Sequence, residues 1–390
     1  MQKFYQRDID KRVDKVIAGF PIIFITGPRQ SGKTTYIRHR FKNYEYFNLE
    51  SFSDLEYISS DPKHFLQEHP RNIIIDEVQR MPELLSYLQV HVDNRQEMGS
   101  IILSGSQNLL ISEKISQSLA GRVVHLTLFP FSLEELKKAK IIEDNPWQQI
   151  LKGFYPALYS RKIPIDEFYN SYLTTFVERD VRLIKNIGDL ARFRKFMILL
   201  AGRVGQIVNV SSLADDVGIS PHTAESWLSV LEASYVIFRL SPYFKNIGKR
   251  LIRSPKVFFY DTGLLCFLLS INNTKELDRH FARGSIFENL VIAEVKKNKS
   301  IDDISAQLYF YRSSKNEEID LIIDSGKPEI TLVEIKSAVE FNQSFLSTLL
   351  KVGAEIFPDS KKFIVYAGKR ILNLKEASIL PWNKLEKLNK

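Results

Sequence analysis

The chain has a single cysteine, Cys266, in 390 residues. That excludes a disulfide framework and points to a reducing compartment. Cys266 lies in the apolar run LLCFLL and reads as a packed core thiol. Long hydrophobic runs are also lacking. The longest are strand-sized or short-helix-sized, too short to cross a bilayer, so no membrane partner is expected. The opening stretch, MQKFYQRDIDKRVDKVIAGF, alternates charges with no apolar centre. No signal peptide is expected there, and the chain reads as cytoplasmic. Internal repeats and low-complexity segments are missing. The histidines (His39, His64, His69, His91, His125, His222 and His280) show no metal-ligand spacing, and each reads as structural or exposed.

What is present is ordinary globular protein. Hydrophobic residues make up 44% and charged residues 26% of the chain, enough to bury substantial cores. The length suits two or three domains. Lysine and arginine exceed aspartate and glutamate by 54 − 46 = 8. That balance favours anionic partners, nucleic acid among them, without requiring one.

Residues 21–128 carry an α/β rhythm. Apolar runs at Pro21–Thr26, Tyr44–Leu49, Asn72–Asp76, Ser100–Leu103 and Val123–Leu128 alternate with amphipathic or polar segments. This predicts a parallel sheet with helices on its faces. The runs are apolar throughout, as strands buried on both sides should be.

Between the first run and the following helix stands Gly27-Pro28-Arg29-Gln30-Ser31-Gly32-Lys33-Thr34-Thr35, which satisfies G-x₄-G-K-[ST]. Glycines at these positions let backbone N–H groups turn inward around phosphates at a helix N-terminus. Lys33 is placed to reach the β- and γ-phosphates, and the Thr34 hydroxyl to coordinate Mg²⁺. ATP and Mg²⁺ are therefore the expected ligands of a P-loop NTPase domain. The run NIIIDE ends on Asp76, expected in the Mg²⁺ shell, and Glu77, expected to polarise the attacking water. The next strand ends ILSGSQN, where Ser104 and Gln107 are both candidates to face the γ-phosphate. Arg122, in SLAGR, is the candidate for an arginine that stabilises transition-state charge, in cis or from another copy. An ordinary surface salt bridge is its alternative reading.

After Pro130 the text becomes helical. Ser211–Gly218 and Ser220–Ala233 read as two short helices joined at a glycine, with Ser220 as N-cap and Pro221 at the first helical position. A strand and a basic, aromatic return segment follow, which together describe a winged helix-turn-helix. Lys245, Lys249, Arg250, Arg253 and Lys256, interleaved with Tyr243 and Phe244, are the residues expected to track a DNA backbone. The alternative is that they pair with acids of neighbouring domains.

Farther on, Asp320 lies on one predicted strand and Glu334-Ile335-Lys336 on the next. Strand periodicity puts Glu334 and Lys336 on one face, and Asp320 beside them completes the type of set that holds a metal in Mg²⁺-dependent nucleases. Glu288, on the preceding helix, is a further carboxylate.

The series GPRQSGKTT, IIIDEVQ, LSGSQ and SLAGR, followed by FVERD, PKVFFYDTGLL and EIDLIID…VEIKS, resembles a prokaryotic family of AAA-like ATPases. Members of that family join a P-loop domain to a C-terminal domain of unknown function with a restriction-endonuclease-like core. The resemblance runs from about Asp8 to about Ser337. It implies an additional-strand ATPase with Glu77 as catalytic glutamate and Ser104 near the sensor position. It also implies a winged-helix middle and a PD-(D/E)xK-type end. The expected organisation is a P-loop ATPase domain over 1–135, a helical and winged-helix domain over 136–274, and a restriction-endonuclease-like α/β domain over 275–390. The expected function is an ATPase coupling nucleotide state to the nuclease-like domain on DNA. The alternatives are an ATP-regulated nuclease and a nucleotide-gated protein-interaction module.

Overall fold

The computed structural model describes residues 4–105, 118–177, 189–244, 254–326 and 329–389. Gln107, Lys245, Lys249, Arg250 and Arg253 lie outside the described residues. The chain divides into two compact units. The first comprises 1–131, 155–161 and 233–235, and the second the remainder.

In the first unit the apolar runs form β1 (Ile22–Thr26), β2 (Glu45–Asn48), β3 (Ile73–Asp76), β4 (Ile101–Ser104) and β5 (Val123–Thr127). They pair in the order β2-β3-β4-β1-β5, and every pairing is parallel. Side chains alternate between two apolar clusters, as the period of two requires. Ile22, Phe24, Ile73, Ile75, Ile101 and Leu103 face one, with Leu85 and Leu88 from the helix Leu84–Arg95. Ile23, Ile25, Ile74, Ile102 and Leu126 face the other, with Val13 and Ile37 from the helices Asp10–Val16 and Lys33–Arg40. Truncating such a residue to alanine costs about 2–5 kcal/mol. β4 lies between β1 and β3, so the ends of all three converge at the carboxyl edge of the sheet, where open α/β sheets bind ligands.

In the second unit the expected helix pair is present. Asn209 caps the helix Val210–Val217, accepting from Ser212 N at 3.1 Å, and Gly218 ends it at φ 84°. Ser220 caps the helix Pro221–Ala233, accepting from Thr223 N at 3.1 Å, and Ala224, Trp227, Leu228 and Leu231 are its buried stripe. The strands that follow are β6 (Ile237–Pro242) and β7 (Lys256–Phe259), paired antiparallel.

Later strands are β8 (Gln307–Arg312), β9 (Glu318–Asp324), β10 (Thr331–Lys336), β11 (Lys361–Tyr366), β12 (Leu372–Asn373) and β13 (Ser378–Pro381). They form one eight-stranded mixed sheet with the earlier pair, in the order β12-β13-β11-β10-β9-β8-β6-β7. A boundary at 274/275 therefore does not separate two compact bodies. The end of β6 pairs in parallel with β8, Ser241 opposite Tyr309 and Pro242 opposite Phe310, and carries the sheet across it.

The segment PKVFFYDTGLL gains a structural explanation. Asp261 is buried and caps the helix Thr262–Leu268 through Leu264 N at 2.8 Å. It also accepts from Phe154 N at 2.7 Å and Tyr169 OH at 2.8 Å, fastening distant parts of the unit to one carboxylate. A Cβ at Gly153, where φ is +72°, would lie 2.0 Å from the Tyr169 hydroxyl. Only glycine fits there.

Lys256 corrects the reading of the basic stretch. It is 2% exposed, at the start of β7, and its ammonium contacts Glu288 and Glu318. A lysine enclosed by carboxylates has no charge to offer a phosphate backbone. Tyr243, from the same stretch, packs its ring on Tyr309 and Phe357. Among the described residues no helix is long and apolar enough to cross a membrane.

Candidate nucleotide site and buried carboxylate cluster

The loop after β1 has the conformation its glycines predict. Gly27 has φ 146°, and a Cβ there would meet Leu128 O at 2.2 Å, so the close approach of the chain just after β5 demands glycine. Gly32 is left-handed at φ 90° and caps the helix that begins at Lys33. Lys33 Nζ folds back to donate to Gly27 O and Pro28 O, both at 2.9 Å. Ser31 is fully buried and its Oγ finds no hydrogen-bond partner. A buried hydroxyl left without a partner in this loop is what an incoming phosphate oxygen would satisfy. The residues present fit a nucleotide phosphate.

Arg7 was missed by sequence reading. It is 5% exposed and donates to Ser31 O at 3.1 Å and Phe129 O at 2.5 Å. Its guanidinium, 4.8 Å from the Phe131 ring centroid, ties the loop to the chain leaving β5. Beside it lies a cavity of about 390 Å³ whose lining includes Phe4, Tyr5, Gly32, Tyr36, Phe131 and Pro156.

Asp76, 2% exposed, is saturated with donors. Its Oδ2 accepts from Thr34 Oγ1 and Tyr46 OH, each at 2.8 Å, and its Oδ1 accepts from Ser104 Oγ and Glu77 N. Thus Thr34, Asp76 and Ser104 are brought together, and Tyr46 joins them from β2. Burial and the Asp76 charge push Tyr46 above the usual phenol value, so it stays a donor. Thr34 and Asp76 are the oxygen ligands available to a hard cation such as Mg²⁺.

Glu77 follows in a left-handed conformation at φ 58° and receives a hydrogen bond from Gln79 Nε2. Burial, then the Asp76 charge, raises its pKa, while Lys33 opposes the shift. A half-buried carboxylate with elevated basicity suits proton abstraction.

Arg122 is placed elsewhere. Its carbonyl accepts from Ile22 N, which puts it at the amino edge of β1 and β5, opposite the phosphate loop. Five strand residues separate the two edges, about 16 Å at the strand rise. Its guanidinium pairs with Asp93, Nε to Oδ1 at 2.5 Å and Nη2 to Oδ2 at 2.8 Å. Arg122 therefore does not stand beside the phosphate loop of its own chain, because a parallel sheet keeps its two edges apart.

In the second unit Asp320 and Glu334-Ile335-Lys336 fall on the neighbouring antiparallel strands β9 and β10, and Asp320 Oδ2 accepts from Ile335 N at 2.7 Å. Carboxylate oxygens of Glu288, Glu318 and Asp320 lie within 4.8 Å of one another. Glu318, two residues before Asp320 on the same strand face, was not singled out from sequence, although the period of two places it there. Glu334 Oε1 pairs with Lys336 Nζ at 2.5 Å, while Oε2 is buried without a partner. Burial, then the Asp320 charge, pushes Glu288 and Glu334 up to about 8. Burial likewise raises Asp320. Burial works against the Lys256 charge, but Glu288, Glu318 and Asp320 hold it above the ordinary lysine range.

Three sequence-family models match stretches of the chain. A sequence-family model described as an AAA domain matches residues 19–137. Two described as domains of unknown function, DUF8612 and DUF4143, match residues 143–275 and 283–385. A Mycobacterium tuberculosis protein described as uncharacterized is 30% identical over 367 residues, covering 92% of this chain and 81% of its own length. A Mycobacterium bovis protein matches to the same extent. A Methanocaldococcus jannaschii protein, also described as uncharacterized, is 23% identical over 368 residues, covering 86% and 79%. Among solved structures, a Walker-type ATPase of Pyrococcus abyssi is 14% identical with a TM-score of 0.43, over 68% of this chain and 96% of that one. That likeness is too distant to bear on function. The chain belongs to the family of these mycobacterial proteins, with an AAA-type P-loop domain at its start and a DUF4143 domain toward its end.

Proposed function

We propose that the first unit binds Mg²⁺·ATP and hydrolyses it. The observation that carries this is the junction of Thr34, Asp76 and Ser104 at the carboxyl edge of the sheet, with Lys33 directly before Thr34 and Glu77 directly after Asp76. Gly27 to Thr35 would wrap the phosphates, and Lys33 would leave its two loop carbonyls to meet the β- and γ-phosphates. Thr34 and Asp76 would hold the cation, and Glu77 would accept the proton of the attacking water. Ser104 would stand near the γ-phosphate while orienting Asp76. The cavity lined by Phe4, Tyr5 and Phe131 suits a purine, which stacks on aromatic faces. Arg122 would serve only the nucleotide of a neighbouring copy.

Two variants test the proposal. Lys33→Ala should abolish nucleotide binding. Glu77→Gln should bind ATP and hydrolyse it about 10²- to 10³-fold more slowly, the scale of a lost general base. Wild-type turnover in the Glu77 variant would remove the assigned base.

A second reading concerns the other unit. Glu288, Glu318 and Asp320 converge, and Glu334 adds a buried oxygen without a partner. We infer that this set takes a divalent cation that prefers oxygen ligands, such as Mg²⁺ or Mn²⁺. Calorimetric titration with Mn²⁺ should show a site lost in Asp320→Asn. DNA cleavage in the same preparation separates an ATP-regulated nuclease from a domain that only binds the ion. Contact with DNA rests on Lys245, Lys249, Arg250 and Arg253, and Lys256 no longer supports it. If the chain stays off DNA at low salt, the nucleotide-gated protein-interaction module is the reading that remains.

A further inference from the structure

Lys256 reaches the carboxylate cluster from a different part of the chain. It stands on β7, whereas Glu288 belongs to the helix Arg283–Asp302 and Glu318 and Asp320 belong to β9. Its Nζ lies 3.0 Å from Glu288 Oε1 and 2.5 Å from Glu318 Oε1, and 5.3 Å from the Phe310 ring centroid. The ammonium is thus held between two acids and an aromatic face.

The set is rich in acid: Glu288, Glu318, Asp320 and Glu334 outnumber the cations paired with them, Lys256, Lys336 and Arg312. Yet Glu288 and Glu318, two of the three converging acids, already serve the ammonium. A metal ion on the same carboxylates would lie within a few ångströms of Nζ, where like charges repel strongly in a partly buried site. Metal and ammonium therefore compete for the same oxygens, and on the neighbouring strand Glu334 Oε2 is buried without a partner.

We propose that Lys256 is a displaceable internal cation: it seats the Glu288–Glu318 pair in the metal-free protein, and a divalent ion enters the cluster by driving it off. The proposal rests on the cation-binding reading of this cluster. Its consequence reaches beyond the ion. Lys256 pairs with Leu240 across the β6–β7 ladder and bridges to Ile207, so metal loading changes the charge and freedom of a side chain rooted in the segment ahead of the carboxylates.

The test uses the full-length, nucleotide-free chain and Mn²⁺ alone. Calorimetry should show Lys256→Met binding Mn²⁺ about tenfold more tightly than wild type, as expected when a competing charge is removed, and Asp320→Asn losing the site. Lys256→Gln, whose amide still donates to either glutamate, should show the same direction and replaces the Met variant if that one fails to fold. In the wild type, Lys256 should resist reductive methylation without Mn²⁺ and become reactive once Mn²⁺ is bound, as read by peptide mass spectrometry. If Mn²⁺ binds wild type and both lysine variants equally, or Lys256 stays protected with Mn²⁺ bound, displacement is overturned and the cation site stands. If neither wild type nor the lysine variants bind Mn²⁺ at millimolar concentration, both readings fall.

Discussion

Tyr46 OH donates to Asp76 Oδ2 at 2.8 Å, sharing that oxygen with the Thr34 hydroxyl of the phosphate loop. A tyrosine on β2 thereby fixes the orientation of the acid on β3 that is proposed to hold Mg²⁺. Removing only the hydroxyl, as in Tyr46→Phe, deletes a hydrogen bond to a charged group worth about 1.5 kcal/mol or more. The Mg²⁺ concentration for half-maximal ATPase is expected to rise about tenfold. Binding of a fluorescent ATP analogue without Mg²⁺ should not change. Loss of nucleotide binding in both conditions would mean that Tyr46 supports the loop rather than the metal.

Arg7 gives a different signature. Its two donors hold Ser31 O and Phe129 O together, so Arg7→Ala frees the phosphate loop from the chain after β5. KM for ATP should rise about three- to tenfold, the cost of re-ordering a loosened binding loop. Arg7→Lys should not rescue it, because a single ammonium lacks the fork that reaches two carbonyls. Steady-state kinetics that show equal KM in wild type and Arg7→Ala would remove this role.

For Arg122, the pairing with Asp93 at the far edge of the sheet permits a decisive mixing experiment. Arg122→Ala and Lys33→Ala should each be inactive as pure proteins. Mixed, they should regain part of the ATPase, since one copy offers an intact phosphate loop and the other an intact arginine. If Arg122→Ala alone keeps wild-type turnover, the residue is the surface ion pair of its alternative reading.

Asp261 should show in stability, not in catalysis. Burial raises its carboxyl above the ordinary aspartate value. An acid with a raised folded-state pKa binds its proton more tightly in the folded chain. Its contribution is therefore fully present below the unfolded value and is lost as pH rises through the raised one. Denaturant midpoints should fall more steeply across that window for wild type than for Asp261→Asn. Asp261→Ala strips three donors of their acceptor and should cost about 3 kcal/mol or more at any pH.

Much of the first unit was legible because its signals are local. An isoleucine run such as NIIID states both strand and burial, and G-x₄-G-K-[ST] states a backbone shape. What escaped depends on which strands become neighbours. Tyr46 meets Asp76 only because β2 pairs with β3. Arg122 was singled out from its motif with its partner copy left open, and only the strand order shows that it stands at the edge away from its own phosphate loop. Lys256 stood among cations and read as one of them. Its acids lie 32 and 62 residues downstream, beyond any local pattern. The letters that hinted otherwise are the four that follow it, VFFY, an apolar strand beginning immediately after the lysine.

The strand pairing of Ser241 and Pro242 with β8 has a consequence for inheritance. The stretch matched as DUF8612 contributes β6 and β7 to a sheet whose remaining strands come from the stretch matched as DUF4143. A gene fusion or excision at the boundary between them would leave raw hydrogen-bonding edges on both products and divide Lys256 from Glu288 and Glu318. Two modules that look separable in the text are thus bound to travel as one, and a chimaera that exchanges the last third of the chain must bring a compatible hairpin with it.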